Sequence, residues 1–298
     1  MKEIVILSGK GGTGKTSVTA SLAQLSAQHE PPLHLVITDG DVDASNLAIV
    51  AAPRTLKREE FIGGAVAVIQ QVECIQCETC REVCRYDAVM KKGGRVVVDP
   101  ILCEGCAACV FQCPREAISL HEQVAGAWIQ AVTKWGPLFH ATLFPAQENS
   151  GKLVSLVKEK ARSWAKEHST DLLLVDGPPG IGCPVIAAVS GADHTLIITE
   201  PTVSGLSDLR RAQETARHFG VPSSVCINKV DINPHGRREL QEYCQQQGIE
   251  VWAEIPFDNH VTRAMVQGKP VTGAYPASPA ATAIQSLWEK LLLLLEEY

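Results

Sequence analysis

The sequence predicts an α/β protein, in which a mostly parallel sheet is flanked by helices and a small α+β domain interrupts the chain. Short apolar runs alternate with segments of helical periodicity through most of the 298 residues, as is typical of parallel sheets. A glycine-rich loop follows the first apolar run and opens the first helix. The alternation stops between about Pro53 and Gly126, where the sequence is rich in cysteine and punctuated by glycine.

The apolar runs and the helix-period segments give the elements in order. The predicted strands are Glu3–Leu7, Leu33–Thr38, Asp171–Val175, Thr195–Thr199, Ser224–Ile227 and Glu250–Ile255. The predicted helices are Lys15–Gln28, Gly151–His168, Ser204–Phe219, Arg237–Gln247 and Ala280–Glu297. The runs have the length of strands, and the periodic segments have the length of helices.

Composition narrows the classes of partner. The chain has a formal charge of −6, its aromatic content is 5%, and no basic cluster is interleaved with aromatic residues, so no nucleic acid is expected. Met1 leads directly into a predicted strand without a basic segment, which predicts a cytoplasmic protein. Only Lys290 is basic near the apolar run Leu291–Leu295. A packed C-terminal helix is therefore expected there, and no stable membrane insertion.

Eight of the eleven cysteines form two ladders of identical spacing, 29 residues apart. They are Cys74, Cys77, Cys80 and Cys84, followed by Cys103, Cys106, Cys109 and Cys113. Two copies of one small unit, packed as a pseudo-symmetric pair, are the simplest interpretation. The ladders predict an inserted domain at 57–126, whose two ends lie close together, within a host domain formed by 1–56 and 127–298.

Each ladder has the spacing C-x₂-C-x₂-C-x₃-C, the pattern of two-cluster ferredoxins that hold 4Fe–4S clusters. Three cysteines on one tight loop can cap three irons, and the fourth crosses to the other cluster. The predicted ligands are Cys74, Cys77, Cys80 and Cys113 for one cluster, and Cys103, Cys106, Cys109 and Cys84 for the other. Zinc is the competing metal. Arg85 follows the first ladder where Pro114 follows the second, which predicts a cation near the cluster that Cys84 serves.

The segment Gly9–Thr16 reads Gly-Lys-Gly-Gly-Thr-Gly-Lys-Thr between a strand and a helix, the context that a phosphate-binding P-loop requires. Its backbone N–H groups and the helix N-terminus favour phosphate. Lys15 is predicted to reach the β- and γ-phosphates, and Thr16 to bind Mg²⁺. The predicted nucleotide contacts are Gly11, Gly12, Thr13, Gly14, Lys15, Thr16 and Ser17.

The additional Lys10 makes this loop resemble the deviant P-loop of the MinD/ParA class, which includes the nitrogenase iron protein. The resemblance covers most of the chain outside the insert. In that class the extra lysine reaches across a nucleotide-sandwich dimer to the phosphates of the partner. The resemblance therefore implies a catalytic role for Lys10, a homodimer on ATP binding, and ATP hydrolysis.

Two acidic segments resemble the switches of this class. In the segment 38–47, the resemblance implies that Asp41 positions the attacking water, with Asp39 and Asp43 as alternatives. The apolar run Leu172–Val175 ends at Asp176, which is predicted to hold Mg²⁺. The stiff turn Gly177–Gly180 resembles the second switch. Cys183 just beyond it is either a buried free thiol or a residue with a redox or partner-cluster role, and Cys226 and Cys244 are expected to be packing residues.

The base-recognition residues rest on the resemblance. Asn228 lies in Asn-Lys-Val-Asp and can hydrogen-bond an adenine edge through its amide. Pro256 and Asp258 match a second purine-contacting segment more weakly. ATP is favoured over GTP by resemblance alone, so the predicted cofactors are ATP, Mg²⁺ and two 4Fe–4S clusters.

Three functions compete for a chain of this kind. The preferred one is nucleotide-gated electron transfer, in which ATP turnover reshapes a dimer that reduces an unidentified redox or metallocluster protein. The alternative is iron–sulfur cluster assembly or transfer, as in the Mrp-type carriers, which share a cluster through a C-terminal C-x-x-C. No such pair follows Cys113, and this weakens the alternative. A positioning ATPase of the MinD type is the second alternative.

Overall fold

The computed structural model describes residues 1–43, 45–145, 147 and 150–296. The strands are β1 (Lys2–Ser8), β2 (Leu35–Asp39), β3 (Arg54–Ile69), β4 (Val89–Lys92), β5 (Arg95–Val98), β6 (Ile118–Val132), β7 (Pro137–Leu143), β8 (Leu172–Pro179), β9 (His194–Thr199), β10 (Ser223–Asn228) and β11 (Glu250–Ile255). The helices are α1 (Lys15–Gln28), α2 (Leu47–Ala51), α3 (Thr79–Glu82), α4 (Ala108–Phe111), α5 (Ser150–Glu167), α6 (Cys183–Val189), α7 (Val203–His218), α8 (Pro234–Gln247), α9 (Asn259–Val266), α10 (Val271–Ala274) and α11 (Pro279–Glu296).

The chain divides into two compact units. Unit 1 comprises Met1–Arg58, Trp128–Thr142 and Ser150–Tyr298, and unit 2 comprises Glu59–Ala127 and Leu143–Asn149. The long strands β3 and β6 are neighbours in one sheet, so the chain enters and leaves unit 2 on adjacent strands. The segment 143–149 joins unit 2 although it follows the predicted insert.

The main sheet has nine strands in the order β11-β10-β9-β1-β8-β2-β7-β6-β3. All six pairings from β11 to β7 are parallel, as the α/β prediction requires. Strands β1, β2 and β9 are buried almost throughout, which explains their continuous apolar runs. Asp39 is in register with Asp176, so two acids meet at the carboxyl edge of the sheet, where ligands of such sheets bind.

The predicted elements of unit 1 are present with small shifts at their ends. The predicted turn Gly177–Gly180 is wrong in its first part, because β8 continues to Pro179 and Pro179 pairs with Ser8. The final residue of the predicted C-terminal helix, Glu297, lies outside the described residues. Helix α11 packs into the core through Ile284, Leu287 and Leu291. No helix in the described part of the chain is long and apolar enough to cross a membrane.

The sequence repeat of unit 2 is also a backbone repeat. Helices α3 and α4 are related by the offset of 29 residues. The left-handed residues recur at the same offset as Gln76 and Gly105, Glu78 and Ala107, and Asp87 and Glu116. Gln70 N–H donates to Ala117 O (2.8 Å), and Asp99 N–H donates to Ala88 O (2.7 Å). Because each bond is the other moved by the offset and reversed, the two copies pair as a pseudo-two-fold unit.

Candidate functional site

A loop between β1 and α1 surrounds a cavity of about 300 Å³. Gly12 and Gly14 have φ values of 81° and 95°, which favour glycine. At Gly14 a side chain also has no room, because an added Cβ would lie 2.3 Å from Asn228 Nδ2. The cavity is lined by Ser8, Lys10, Gly11, Gly12, Thr13, Gly14, Lys15, Thr16, Ser17, Asp41, Asn46, Ile49, Pro179 and Met265. The loop therefore has the form of a phosphate cradle.

Asp176 is the fully buried acid at the centre of this site. Its carboxylate accepts hydrogen bonds from Lys15 Nζ (2.9 Å) and Thr16 Oγ1 (2.7 Å). Thr19, which sequence reasoning missed, donates a third from one turn further along α1 (3.0 Å). A buried charge needs such partners. The Thr16 hydroxyl and the Asp176 carboxylate lie side by side, and both are oxygen ligands of the kind that Mg²⁺ prefers.

Asp39 organises the turn that follows β2. Its Oδ1 accepts from the Asp41 N–H (3.0 Å), and its Oδ2 accepts from Ser45 Oγ (2.7 Å) and the Leu47 N–H (3.2 Å). Burial, and secondarily the neighbouring Asp176, raise the pKa of Asp39 to about 7. Asp41 lines the cavity, whereas Asp43 is exposed. The geometry therefore separates a positioning acid, Asp39, from a cavity-facing one, Asp41. Ala44 of this segment lies outside the described residues.

The raised pKa of Asp39 predicts a pH-dependent stability for the nucleotide-free protein. Between pH 4 and 7 the folded protein holds a proton that the unfolded chain releases, so the free energy of unfolding falls as pH rises. The decrease has an upper limit of about 4 kcal/mol. Asp39→Asn is uncharged at every pH and should lack this contribution. Urea unfolding at pH 5 and pH 8 measures it, with the exposed Asp43→Asn as control. An equal pH dependence in wild type and Asp39→Asn would contradict the prediction.

Lys10 forms an ion pair with Glu200, a residue that was not predicted from the sequence. Lys10 Nζ lies 3.1 Å from Glu200 Oε2, and Lys229 pairs with the other carboxylate oxygen. Lys229 Nζ also donates to Gly12 O (3.2 Å). Glu200 directly follows β9, which is adjacent to β1. Its position at the carboxyl end of a parallel strand is the signal that could have identified it.

The predicted base-recognition residues do not line the described cavity. Asn228 Nδ2 donates to Thr13 O (2.7 Å), and its Oδ1 accepts from the Lys229 N–H (2.9 Å). Asp258 caps α9 by accepting from the His260 N–H (2.9 Å). Pro256 lies just beyond β11. The structure thus places Asn228 as a support of the P-loop, and base recognition by these three residues stays a prediction.

The eight ladder cysteines of unit 2 line two small cavities, four cysteines in each. The first cavity is lined by Cys74, Cys77, Cys80 and Cys113, together with Ile75, Glu78, Thr79, Val96, Pro114, Arg115 and Ile118. The second is lined by Cys84, Cys103, Cys106 and Cys109, together with Ala67, Tyr86, Ala88, Val89, Val98, Glu104, Gly105, Ala107 and Ala108. This is the grouping that an exchange of the fourth cysteine between ladders predicts.

Backbone and side-chain donors approach the thiols. The N–H groups of Ala67 and Ala117 donate to Cys103 Sγ (3.4 Å) and Cys113 Sγ (3.3 Å). A hydrogen bond from the Thr79 hydroxyl lowers the pKa of Cys77. Within the described residues, no group of three or more His, Cys, Asp or Glu side chains could hold a single metal ion. The thiols line a space rather than converge on one point.

Burial disfavours the charged, thiolate form of two of the cysteines. It is the main cause that raises the pKa of Cys80 and Cys109, and neighbouring thiols raise it further. Both side chains are almost inaccessible to water. A thiolate at either position therefore requires a compensating positive partner.

The structure also bears on the predictions for Arg85, for Cys183, and for Cys226 and Cys244. Arg115 lines the first cavity, and Arg85 is not among the residues that line the second, so a cation lies beside the first group of thiols and the effect of Arg85 stays a prediction. Cys183 is exposed at the start of α6 rather than buried, although the first turn of α5 is close to it, since a Cβ added at Gly151 would lie 3.1 Å from Cys183 Cβ. Burial raises the pKa of Cys226 to about 12 and that of Cys244 to about 11, as befits packing residues.

A parallel sheet with a glycine-rich loop after β1, a buried acid on β8 and an additional lysine defines a P-loop nucleotide-binding protein. The particular family is now clear. The sequence model of the CobQ/CobB/MinD/ParA nucleotide-binding domain matches residues 4–271, and the chain belongs to this family.

Several relatives cover the chain to different extents. An uncharacterised protein of Methanocaldococcus jannaschii is 32% identical over 97% of this chain and 96% of its own length. An iron–sulfur cluster carrier protein of Pyrococcus horikoshii is 29% identical over 49% of this chain and 54% of its own length. The structure of the septum site-determining protein MinD of Pyrococcus horikoshii with Mg-ADP has a TM-score of 0.59 at 18% identity, covering 97% of this chain and 95% of that one. At this identity the last comparison concerns the fold alone.

Proposed function

We propose that this chain is an ATP-hydrolysing iron–sulfur protein, with the insert at 57–126 holding two 4Fe–4S clusters. The observation that carries the proposal is the division of eight cysteines into two cavities of four thiols each. A single zinc ion binds thiolates that converge at about 2.3 Å, whereas the described thiols do not converge on one point. The apolar walls and the N–H···S contacts suit an iron–sulfur cluster.

In the nucleotide site, each residue has a role that its position supports. Lys15 binds the phosphates, and Thr16 and Asp176 hold Mg²⁺ once the nucleotide separates them. Asp41, which lines the cavity, orients the attacking water. Lys10 acts across a homodimer that forms on ATP binding. Membership of a family of P-loop nucleotide-binding proteins supports the hydrolysis of ATP.

In the insert, Cys74, Cys77, Cys80 and Cys113 hold one cluster, and Cys84, Cys103, Cys106 and Cys109 hold the other. When bound, a 4Fe–4S cluster supplies a one-electron redox centre or the cargo of a transfer reaction. The protein keeps the buried thiols Cys80 and Cys109 away from water and directs backbone N–H groups at two other sulfurs. These contacts orient the ligands and tune the cluster.

Cluster assembly or transfer is the process that the comparisons favour. The relatives that support it are an iron–sulfur cluster carrier protein of Pyrococcus horikoshii and a cytosolic Fe–S cluster assembly factor of Eremothecium gossypii, which is 30% identical over 41% of this chain. Each spans about half of this chain or less, so their activities reach it only as a proposal. The expected partner is a protein that receives or donates a cluster.

Electron transfer is the second candidate, and one observation favours it. Each cavity has one ligand that is almost fully buried, Cys80 or Cys109, which suits a cluster retained through many turnovers. The sequence also has no C-x-x-C after Cys113. A positioning function has less support, because α11 packs its apolar face into the core instead of offering it to a membrane.

A transfer assay separates the two candidates. Protein carrying ⁵⁵Fe-labelled clusters is mixed anaerobically with an apo-ferredoxin, with ATP or with ADP, and the label on each protein is measured. A cluster carrier should pass most of its label to the acceptor, and faster with ATP. Retained label, together with ATP-dependent reduction of an added acceptor by the dithionite-reduced protein, would replace the carrier function by electron transfer.

A further inference from the structure

Glu200 is shared by two lysines on different segments. Lys10 from the P-loop and Lys229 from the end of β10 each pair with one of its carboxylate oxygens. Its side chain is only 8% exposed, whereas those of Lys10 and Lys229 are 38% and 31% exposed. The carboxylate is therefore the fixed member of the group, and the lysines are the members that can move.

The backbone holds Glu200 firmly in place. Its carbonyl accepts a hydrogen bond from the Thr202 N–H (2.7 Å). Gly205 of α7 approaches so closely that an added Cβ would lie 2.1 Å from the same carbonyl oxygen. Although burial opposes it, hydrogen bonds from Lys229 and Lys10 keep the pKa of Glu200 below its usual range. The site thus presents a preorganised, ionised carboxylate to Lys10.

The two lysines differ in what else they contact. Lys229 Nζ also donates to Gly12 O, within the P-loop. Lys10 has Glu200 as its one described ion-pair partner. If Lys10 leaves, Lys229 still neutralises the carboxylate, so the penalty for an unpaired buried charge is avoided. Lys10 can therefore be released without disturbing the fold.

We propose that Glu200 is a positioning residue that retains Lys10 in the nucleotide-free monomer and releases it when a second copy of the chain presents ATP phosphates. This inference rests on the proposed role of Lys10 across a dimer. The Glu200–Lys10 pair opposes dimer formation, because its bond must break before Lys10 can reach the phosphates of the partner. The exchange of a carboxylate for phosphate oxygens makes dimer formation depend on nucleotide.

The test uses the full chain with Asp41→Ala, which should bind ATP without hydrolysing it. Sedimentation velocity with Mg-ATP measures the concentration at half dimerisation. Glu200→Gln keeps the shape and removes the charge. Because a dimer releases two such pairs, each worth about tenfold on the scale of one charged hydrogen bond, half dimerisation should occur at an about 10²-fold lower concentration. In the Lys10→Ala background the same substitution should change dimerisation less than about twofold, as expected for a specific pair.

Each outcome is decisive. If the Asp41→Ala protein stays monomeric with ATP, the proposed dimer and this inference both fail. If it dimerises but Glu200→Gln has no effect, weakens the dimer, or acts equally without Lys10, only the inference fails. A purely structural role of Glu200, in which it supports the P-loop through Lys229, would change ADP binding by the monomer. Glu200→Gln should leave ADP binding unchanged. If Glu200→Gln does not fold, Glu200→Asp withdraws the carboxylate by one methylene and should shift dimerisation in the same direction.

Discussion

Replacing Lys15 by alanine should lower the rate of ATP hydrolysis by at least about 10²-fold, the usual effect of removing one preorganised donor from a developing charge. Lys15 opens α1 at the P-loop and is the only described cation in contact with the buried carboxylate of Asp176. The substitution therefore removes a phosphate ligand and also leaves a buried acid without its counter-ion. Steady-state phosphate release measures the first effect. The exposed Lys152→Ala, on α5, is the matched control and should keep full activity.

The loss of the counter-ion predicts a second, separable effect. Breaking a buried pair by removing one partner costs about 3–5 kcal/mol, so Lys15→Ala should also lower the free energy of unfolding. Adding Asp176→Asn should recover much of that stability but none of the hydrolysis. Full turnover by Lys15→Ala would refute the assignment of the site. Unchanged stability would contradict the expected cost of leaving Asp176 unpaired.

Anaerobically purified protein should contain about eight irons per chain, because each 4Fe–4S cluster contributes four. Replacing one cysteine of a cavity by serine should remove about half of the iron. The exchange of fourth ligands makes a sharper prediction for pairs of substitutions. Cys84→Ser with Cys109→Ser affects one cavity and should leave about four irons, whereas Cys84→Ser with Cys74→Ser affects both and should leave almost none.

The matched control for these variants is Cys183→Ser, since Cys183 is exposed and belongs to unit 1. It should keep all the iron and the absorbance of the clusters. Iron and acid-labile sulfide analysis, with electron paramagnetic resonance of the reduced protein, measures the result. About two zinc ions per chain without iron absorbance would replace the clusters by zinc sites. If Cys84→Ser with Cys74→Ser leaves about four irons and Cys84→Ser with Cys109→Ser leaves almost none, Cys84 binds the same cluster as the other cysteines of its own ladder.

The sequence predicted the elements whose cause is local. Helix α1 and strand β11 have the predicted bounds, because a glycine loop starts the helix and the apolar residues Val251–Ala253 and Ile255 favour the strand. Strand β3 was missed because its first half is exposed and polar, so that no apolar run marks its start. Its formation depends on neighbouring strands that are distant in sequence, such as β6.

The same division applies to the candidate sites. The grouping of thiols could be predicted, because the ladder spacing limits how far each cysteine can reach. The ion pair between Lys10 and Glu200 could not be predicted, because the two residues follow different strands and meet only in the folded sheet. The exposure of Cys183 also depends on what packs over α6, which no local pattern encodes.

The pseudo-two-fold symmetry of unit 2 does not extend to the side chains beside the sulfurs. In the first cavity Thr79 donates to Cys77 Sγ (3.5 Å) and Arg115 lines the wall, whereas the corresponding positions in the second are Ala108 and Tyr86. Hydrogen bonds and positive charge stabilise the reduced, more negative form of a cluster. Two clusters held in this frame would have unequal potentials, and an added electron would settle at the first. A duplicated fold would thus hold two clusters that are not equivalent.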